Sequence, residues 1–177
     1  MSTVKTNKVQ VGQSGTSNNN FTVETNLAGA VTLRRGNHDG GGDSVLSVDS
    51  AGDVTVHGAL IVDVDTGSLG FGTGAGGTVT QATDKTTGVT INKPCGRITT
   101  ANTALAAGAS VSFLVTNDKV GTNDTVLVTT GSGGSNHYAI SAGVINGSFR
   151  VVLTNYSGSS QSTAVGINFT VVRGAQA

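Results

Sequence analysis

The chain has 177 residues, a formal net charge of zero and only 11% charged residues, whereas glycine alone contributes 27 residues. A neutral chain without a basic or acidic tail argues against binding to nucleic-acid phosphates or to an anionic membrane surface, and no apolar run has the length of a transmembrane helix. Val and Thr are abundant and aromatic residues make up 4%, so the composition favours β-strands around a thin core over long helices. The opening MSTVKTNKVQVG lacks the apolar segment of a secretory signal peptide, so we expect synthesis in a cytoplasm without export.

Residues 1–76 are predicted to form short strands that are separated by turns rich in Gly, Asn and Asp. The candidate strands read KVQVGQ, NFTVET, GAVTLRR, SVLSVDS, DVTVHG and ALIVDVD. The segment SVLSVDSAGDVTV predicts a hairpin, because two alternating runs flank the turn residues SAGD. These strands carry too little apolar surface for an independent core, which indicates an anchor and β stem that pair with other chains or with a larger particle.

Residues 77–177 alternate more sharply between apolar and polar positions and predict about eight short strands. The candidates read TVTQA, GVTIN, RITT, SVSFLV, TVLVTT, HYAISA, SFRVVL and AVGINFTVV. The period of two places Tyr138, Ile140 and Ala142 on one face of their strand. We therefore expect an all-β fold, in which an N-terminal stem precedes a C-terminal antiparallel β-sandwich with a jelly-roll-like architecture.

The stretch GFGTGAGGTVT contains the spacing G-x-G-x-x-G at Gly72, Gly74 and Gly77. A dinucleotide site needs a helix after this motif, but the following residues alternate at period two and have poor helix propensity. We therefore expect no nucleotide cofactor and interpret the glycines as a hinge between the two halves, with Phe71 close to the axis of an assembly. The predicted hinge consists of Gly70, Gly72, Gly74, Gly76 and Gly77.

Three further patterns contain residue types that can bind metal ions or react as nucleophiles. Asp63 and Asp65 would project from one face of a strand, yet a third acidic ligand is missing nearby, so a solvated strand face is the favoured interpretation. Residues 38–43 (HDGGGD) lack the ligand spacing of a calcium loop and are interpreted as a turn. Cys95 has no second cysteine for a disulfide and is interpreted as a buried structural residue. We expect no catalytic residue, no cofactor and no metal site.

A family resemblance is carried by four stretches that together cover nearly the whole chain. GTVTQATDKTTGVTINKPCGRITTANTALAAGASVSFLVTND and GSFRVVLTNYSGSSQSTAVGINFTVVRGAQA resemble the C-terminal domain of tailed-bacteriophage fibre and virion appendage proteins. VQVGQSGTSNNNFTVETNLAGAVTLRRGN is similar to the opening of phage tail or head fibre proteins, and SVLSVDSAGDVTVHGAL is similar to their stem repeats. The resemblance implies a non-enzymatic homotrimer that is synthesised in the cytoplasm of a host bacterium and lies on the exterior of the phage particle. It would be bound through its N-terminal part to other virion proteins of the tail, connector or capsid.

Strands that run alternately up and down would bring the loops TDKT, ANTALAAGA, GSGGSN and YSGSSQS to the end of the sandwich away from the stem. Polar loops with amphipathic rings suit weak contacts with host-surface polysaccharide, which three copies would strengthen. Ordinary solvent-exposed loops are the alternative interpretation, and a capsid decoration or cement protein is the alternative function. The candidate receptor-contact residues are Asn136, His137, Tyr138, Asn155, Tyr156 and Gln161.

Overall fold

The computed structural model describes residues 8–11, 21–25, 30–36, 42–58, 60, 69–133 and 136–174. These residues form thirteen strands and no helix, so the prediction of an all-β fold is confirmed. The chain divides into two compact units, Met1–Leu69 and Gly70–Ala177. Within the described ranges, no helical segment is long and apolar enough to cross a lipid bilayer.

The first unit contains a single five-stranded antiparallel sheet in which each strand pairs with the next strand in the chain. The predicted strand ALIVDVD, with Asp63 and Asp65, lies outside the described residues apart from Leu60, and so do residues 38–41 of the HDGGGD segment. The strands are β1 (Lys8–Val11), β2 (Phe21–Thr25), β3 (Val31–Gly36), β4 (Gly42–Val48) and β5 (Val54–Val56).

The turn between β4 and β5 is the hairpin that the residues SAGD predict. The carboxylate of Asp49 accepts hydrogen bonds from the backbone N–H groups of Ala51 and Asp53, both at 2.9 Å. Gly52 adopts a φ of +90°, a conformation that glycine reaches without the steric cost of a side chain. The prediction of this hairpin is confirmed, since β4 and β5 pair antiparallel through Val48 and Val54.

The sheet of the first unit has little buried apolar surface. Of the side chains in this unit whose burial is described, only that of Thr22 is buried, and it is 1% exposed. Val45, Val54 and Val56 are exposed to 43%, 60% and 36%. The sheet is therefore held mainly by its backbone ladder, and its described side chains do not build the apolar core on which a small domain usually depends.

The second unit is a sandwich of two four-stranded sheets, with strand orders β10-β13-β8-β6 and β11-β12-β9-β7. The predicted number of eight strands after the glycine-rich stretch agrees with the structure. The strands are β6 (Gly76–Thr80), β7 (Val89–Thr90), β8 (Cys95–Thr99), β9 (Ser110–Thr116), β10 (Thr125–Thr130), β11 (Tyr138–Ile145), β12 (Ser148–Asn155) and β13 (Gly166–Val172).

The expectation of a purely antiparallel, jelly-roll-like sandwich needs a correction. β6 pairs parallel with β8, and β7 pairs parallel with β9, whereas the other pairs of the two sheets are antiparallel. The cause is the strand order. Successive strands do alternate in direction, but β6 and β8 are two steps apart in the chain and become neighbours in one sheet, as do β7 and β9 in the other.

One apolar core lies between the two sheets. The rings of Phe149 from β12 and Phe169 from β13 have their centroids 5.3 Å apart and so join the two layers directly. Inward-facing residues alternate with exposed ones along each long strand, as the period of two requires. The fully buried members of the core include Ile98, Phe113, Val115, Phe149, Val151, Leu153, Val165 and Ile167.

Gly96 is required by the close approach of two strands and gives a test of this packing. A methyl group at residue 96 would lie 2.5 Å from the carbonyl oxygen of Gly77 and 3.1 Å from Phe169. We expect Gly96→Ala to lower the free energy of unfolding by about 1–3 kcal/mol, the usual cost of overpacking. Urea unfolding followed by circular dichroism measures the change.

The matched control is Gly143→Ala in β11, where no atom lies within 4 Å of an added methyl group. This variant should remain within about 0.5 kcal/mol of the unmodified chain. Equal stability of the two variants would contradict the described approach of β6 to β8.

Asp124 fastens the end of the last strand to the connection between β9 and β10. Its carboxylate accepts hydrogen bonds from the N–H groups of Gly121 at 2.8 Å and Gly174 at 3.0 Å. These bonds, helped by the nearby Arg173 guanidinium, hold the pKa of Asp124 below its ordinary value near 3.8, although burial acts in the opposite direction.

A carboxyl whose pKa is lowered on folding stabilises the protein above the pKa of the unfolded chain and loses this effect as the pH falls through the folded value. We expect the free energy of unfolding to drop between about pH 5 and pH 2, and to drop less steeply in Asp124→Asn. Asp118→Asn, which changes an exposed carboxylate, should keep the steepness of the unmodified chain. An unchanged slope in Asp124→Asn would contradict the assignment.

Candidate functional site: the loop end of the sandwich

Four connections meet at one end of the sandwich, which we call the loop end. They are residues 81–88, 100–109, 131–137 (apart from 134 and 135, which lie outside the described residues) and 156–165. Each follows a strand that runs in the same direction, since β6, β8, β10 and β12 alternate with the four strands that return. The chain enters the unit at the opposite end, where Lys93 Nζ donates to the carbonyl of Gly74 at 3.2 Å.

Lys85 is the centre of the loop end, although its residue type normally lies in solvent. It is 2% exposed. Its ammonium group donates to the carbonyls of Ala101 at 2.7 Å and Thr103 at 2.8 Å, and approaches those of Thr163 at 3.2 Å and Ser162 at 3.4 Å. One side chain therefore ties together three of the four connections.

The charge of Lys85 is opposed by burial, which lowers the pKa of its amino group below the usual 10.5. No carboxylate pairs with it among the described residues. Its compensation comes from the carbonyl dipoles, since a buried ammonium must satisfy its three N–H donors to avoid a large desolvation cost.

Two neighbouring side chains position Lys85. Asp84 closes its own turn by accepting from Thr86 N at 2.8 Å and Thr86 Oγ1 at 2.7 Å, which lowers the pKa of this carboxyl. Gln81 is 3% exposed, donates to the carbonyl of Thr87 at 2.7 Å and accepts from Ala101 N at 3.1 Å. The turn that carries Lys85 is thus held by hydrogen bonds of its own, in addition to those that its ammonium makes to the other loops.

Asn155, the last residue of β12, joins two of the four connections in the same manner, those of residues 100–109 and 156–165. It is fully buried, and its amide nitrogen donates to the carbonyls of Leu105 at 2.8 Å, Ser159 at 2.9 Å and Ala106 at 3.1 Å. Its side-chain oxygen accepts from the backbone and hydroxyl of Ser157 at 3.0 and 2.7 Å. The loop after β12 is therefore held by an amide that uses all its donors and acceptors internally.

Tyr138 and Gln161 also belong to this internal network. Tyr138 is 5% exposed, and burial raises the pKa of its phenol. Its hydroxyl donates to the carbonyl of Gln161 at 3.2 Å. Gln161 pairs with Leu105 through two backbone hydrogen bonds of 2.8 and 3.0 Å and is half-buried.

The candidate receptor-contact residues thus separate into two groups. Asn155 and Tyr138 are enclosed, so the structure corrects the expectation that their side chains face a receptor. Tyr156 is 58% exposed, Asn136 is exposed with a φ of +69°, and His137 is half-buried. Tyr156 N donates to the carbonyl of His137 at 3.0 Å, so these two residues face each other across neighbouring strands.

The predicted hinge glycines occupy two kinds of position. Gly70 and Gly72 precede the first strand of the unit, and Gly74 has a φ of +90° in a turn. Gly76 and Gly77 lie inside β6, in register with Cys95 and Gly96. Hinge motion at these residues stays a prediction, and the part of it that involves Gly76 and Gly77 has to act against a hydrogen-bonded strand.

The remaining cysteine and histidine side chains do not form a reactive or metal-binding cluster within the described part of the chain. Cys95 is half-buried at the start of β8, and His57 is exposed, with its Nε2 3.0 Å from Ser47 Oγ. Among the described residues, no group of three His, Cys, Asp or Glu side chains comes together in a metal-binding arrangement.

Sequence reasoning did not find Lys85 as a central residue. It lies in the short polar segment TDKT, which has the composition of an ordinary exposed turn, and nothing in the local pattern separates it from a solvated lysine. Burial of Asn155 did have a signal, since this residue continues the inward-facing series Phe149, Val151 and Leu153 at period two.

No protein-family model matches the chain, and neither a curated protein nor a solved structure is significantly similar to it.

Removal of the Lys85 ammonium tests the loop end. We expect Lys85→Met to lower the free energy of unfolding by about 1–3 kcal/mol, because buried carbonyls lose their donors. Lys119→Met is the control, since the Lys119 side chain is 49% exposed beside Asp118, and it should change stability by less than about 0.5 kcal/mol. If the two variants unfold at the same urea concentration, Lys85 does not hold the loops.

Proposed function

We propose that the protein is a non-enzymatic structural protein of a phage particle, a short trimeric fibre or spike. Its N-terminal part attaches to the tail, connector or capsid, and its sandwich contacts the host surface through the loop end. The family resemblance of the sequence motivates this proposal. The observation that carries it is the position of the exposed Tyr156 and the half-buried His137 at the end opposite to that at which the chain enters the sandwich.

The geometry of the second unit supports a contact role. The chain enters the sandwich at the end opposite to the loop end, so the loop end is free of the covalent link to the N-terminal part. The loops there are fastened by Lys85 and Asn155 to the sandwich. A binding surface that is ordered before contact loses less conformational entropy on binding.

The low burial in the first unit supports assembly. Its exposed valines, Val45, Val54 and Val56, lie on a sheet that lacks buried apolar side chains among its described residues. Association with further copies would remove this surface from water and would cover the strand edges, which otherwise invite aggregation.

A capsid decoration protein is the second candidate, and the outer faces of the sandwich favour it. Both sheets have outward positions rich in Thr and Ser, such as Thr78, Thr129 and Ser141, which are exposed. Hydroxyl-rich outer positions of this kind suit lateral packing between capsid subunits as well as a free knob. Labelling of purified particles with an antibody against residues 77–177 separates the two functions, because a fibre gives label around the tail or at single head sites and a decoration protein gives label over the whole capsid.

The assembly state is the first measurement. Light scattering of the full-length chain in solution should give a mass near three times the 17.5 kDa of one chain. A monomeric mass at micromolar concentration would contradict the proposal that the first unit gains its missing burial from other copies.

Adsorption of phage to host cells tests the loop end. We expect Tyr156→Ala to reduce adsorption by about tenfold, because the ring offers a large apolar contact, and Tyr156→Phe to retain most of it. Thr129→Ala, on the outer face of the other sheet, is the control. If a phage that carries both Tyr156→Ala and His137→Ala adsorbs normally, the loop end has no contact role.

A further inference from the structure

One outer face of the sandwich extends the loop end down the side of the molecule. This face belongs to the sheet β11-β12-β9-β7. Every second residue faces outward from Tyr156, which directly follows β12, through Thr154 and Val152 to Arg150. The intervening Asn155, Leu153 and Val151 are buried. Tyr156 and Arg150 are therefore about 20 Å apart on a single face.

The rings stand at the upper end of this face. The register that pairs Tyr138 with Asn155 continues to His137 and Tyr156, whose backbones are hydrogen-bonded at 3.0 Å. Because facing residues of an antiparallel pair project to the same side of the sheet, continuation of this register brings the imidazole and the phenol to the same outer face. An exposed ring such as that of Tyr156 offers an apolar plane with a polar edge.

Between the rings and Arg150, the face carries short side chains, many of them with hydroxyl groups. Ala139, Thr154 and Ser110 form one row across the sheet, and Ser110 Oγ lies 2.7 Å from Thr154 Oγ1. The next row contains Ser141, Val152 and Ser112. The side chains of these two rows are all short.

Arg150 is the one cation on this face within the described part of the chain. It lies between Gly143 and Leu114 and donates from Nη1 to Ser112 Oγ at 3.1 Å. No carboxylate forms an ion pair with it there. Arginine has five N–H donors, so the group can still bind a carboxylate with two parallel hydrogen bonds.

We propose that this face, from the ring pair to Arg150, binds a polysaccharide chain that carries uronic acid groups. A sugar ring stacks on Tyr156 and His137, the chain lies over the hydroxyl rows, and a carboxylate meets Arg150. The inference rests on the proposed host-contact function and assigns the receptor class. A single cation matches an occasional carboxylate better than a polymer with a phosphate on every unit.

The experiment uses the full-length protein and an array of bacterial surface polysaccharides that are neutral, uronic-acid-bearing or phosphorylated. We expect binding to the uronic-acid class, which weakens as the salt concentration rises. Arg150→Gln should reduce that binding by about tenfold or more, the usual effect of losing a charge-assisted hydrogen bond, and Arg150→Lys should retain part of it. Lys119→Gln, which changes an exposed cation, is the control and should bind normally.

Three results would overturn the inference: binding confined to neutral or phosphorylated glycans, equal binding by Arg150→Gln, or no glycan binding by an intact trimer. The proposed function fails separately, when Tyr156→Ala phage adsorb normally or when the protein is missing from the particle. Loss of adsorption in Tyr156→Ala without any glycan binding would keep the contact role and exclude a polysaccharide receptor.

Discussion

The buried ammonium of Lys85 is the constraint on which the loop end depends. Four backbone carbonyls, two from each of two loops, converge on one cation from a third loop, so both carbonyl-bearing loops have to adopt a conformation that points these groups inward. Hydrogen bonds to a charged group are stronger than neutral ones, and more so where water is excluded. A short polar loop without such a cation would have to satisfy these carbonyls with water, which keeps loops at the surface and loosely ordered. The ammonium takes the place of that water and links three connections that are distant in sequence.

Alternation of strand direction is the second constraint, and it operates at the level of the whole sandwich. Eight strands that reverse at every connection send the connections after odd-numbered strands of the unit to one end and the others to the opposite end. The sheets then place β6 beside β8 and β7 beside β9, and each such neighbour pair has to be parallel. The two parallel pairs and the gathered loops are therefore consequences of one topological fact. Lys85 acts on an arrangement that the strand order has already provided.

The period-two pattern was sufficient to predict most of this fold. It located eight strands after the glycine-rich stretch and the hairpin at Asp49, because alternating Val, Ile and Phe report directly which face is buried. The same pattern places Tyr138 and Asn155 inward, whereas their polar groups suggested a surface role, and here the periodicity was the better guide. Sheet order could not be predicted, since alternation is compatible with several pairings. Lys85 could not be predicted either, because its burial depends on loops that are distant in sequence and meet only in the folded sandwich.

The two units are stabilised by different interactions, an apolar core in the second and backbone hydrogen bonds in the first. The sandwich has a closed apolar core, with Phe149 and Phe169 in contact across its layers, and among its described residues no buried polar side-chain atom lacks a partner. The first unit relies on its backbone ladder and on surface that remains accessible in the isolated chain. A domain that is complete in itself can present a contact surface in a fixed shape, while a sheet that is incomplete gains its stability from the structure to which it attaches. Under the proposed function, attachment and presentation are separate tasks of separate units, and the strength of contact with a host depends on the number of copies that attachment holds together.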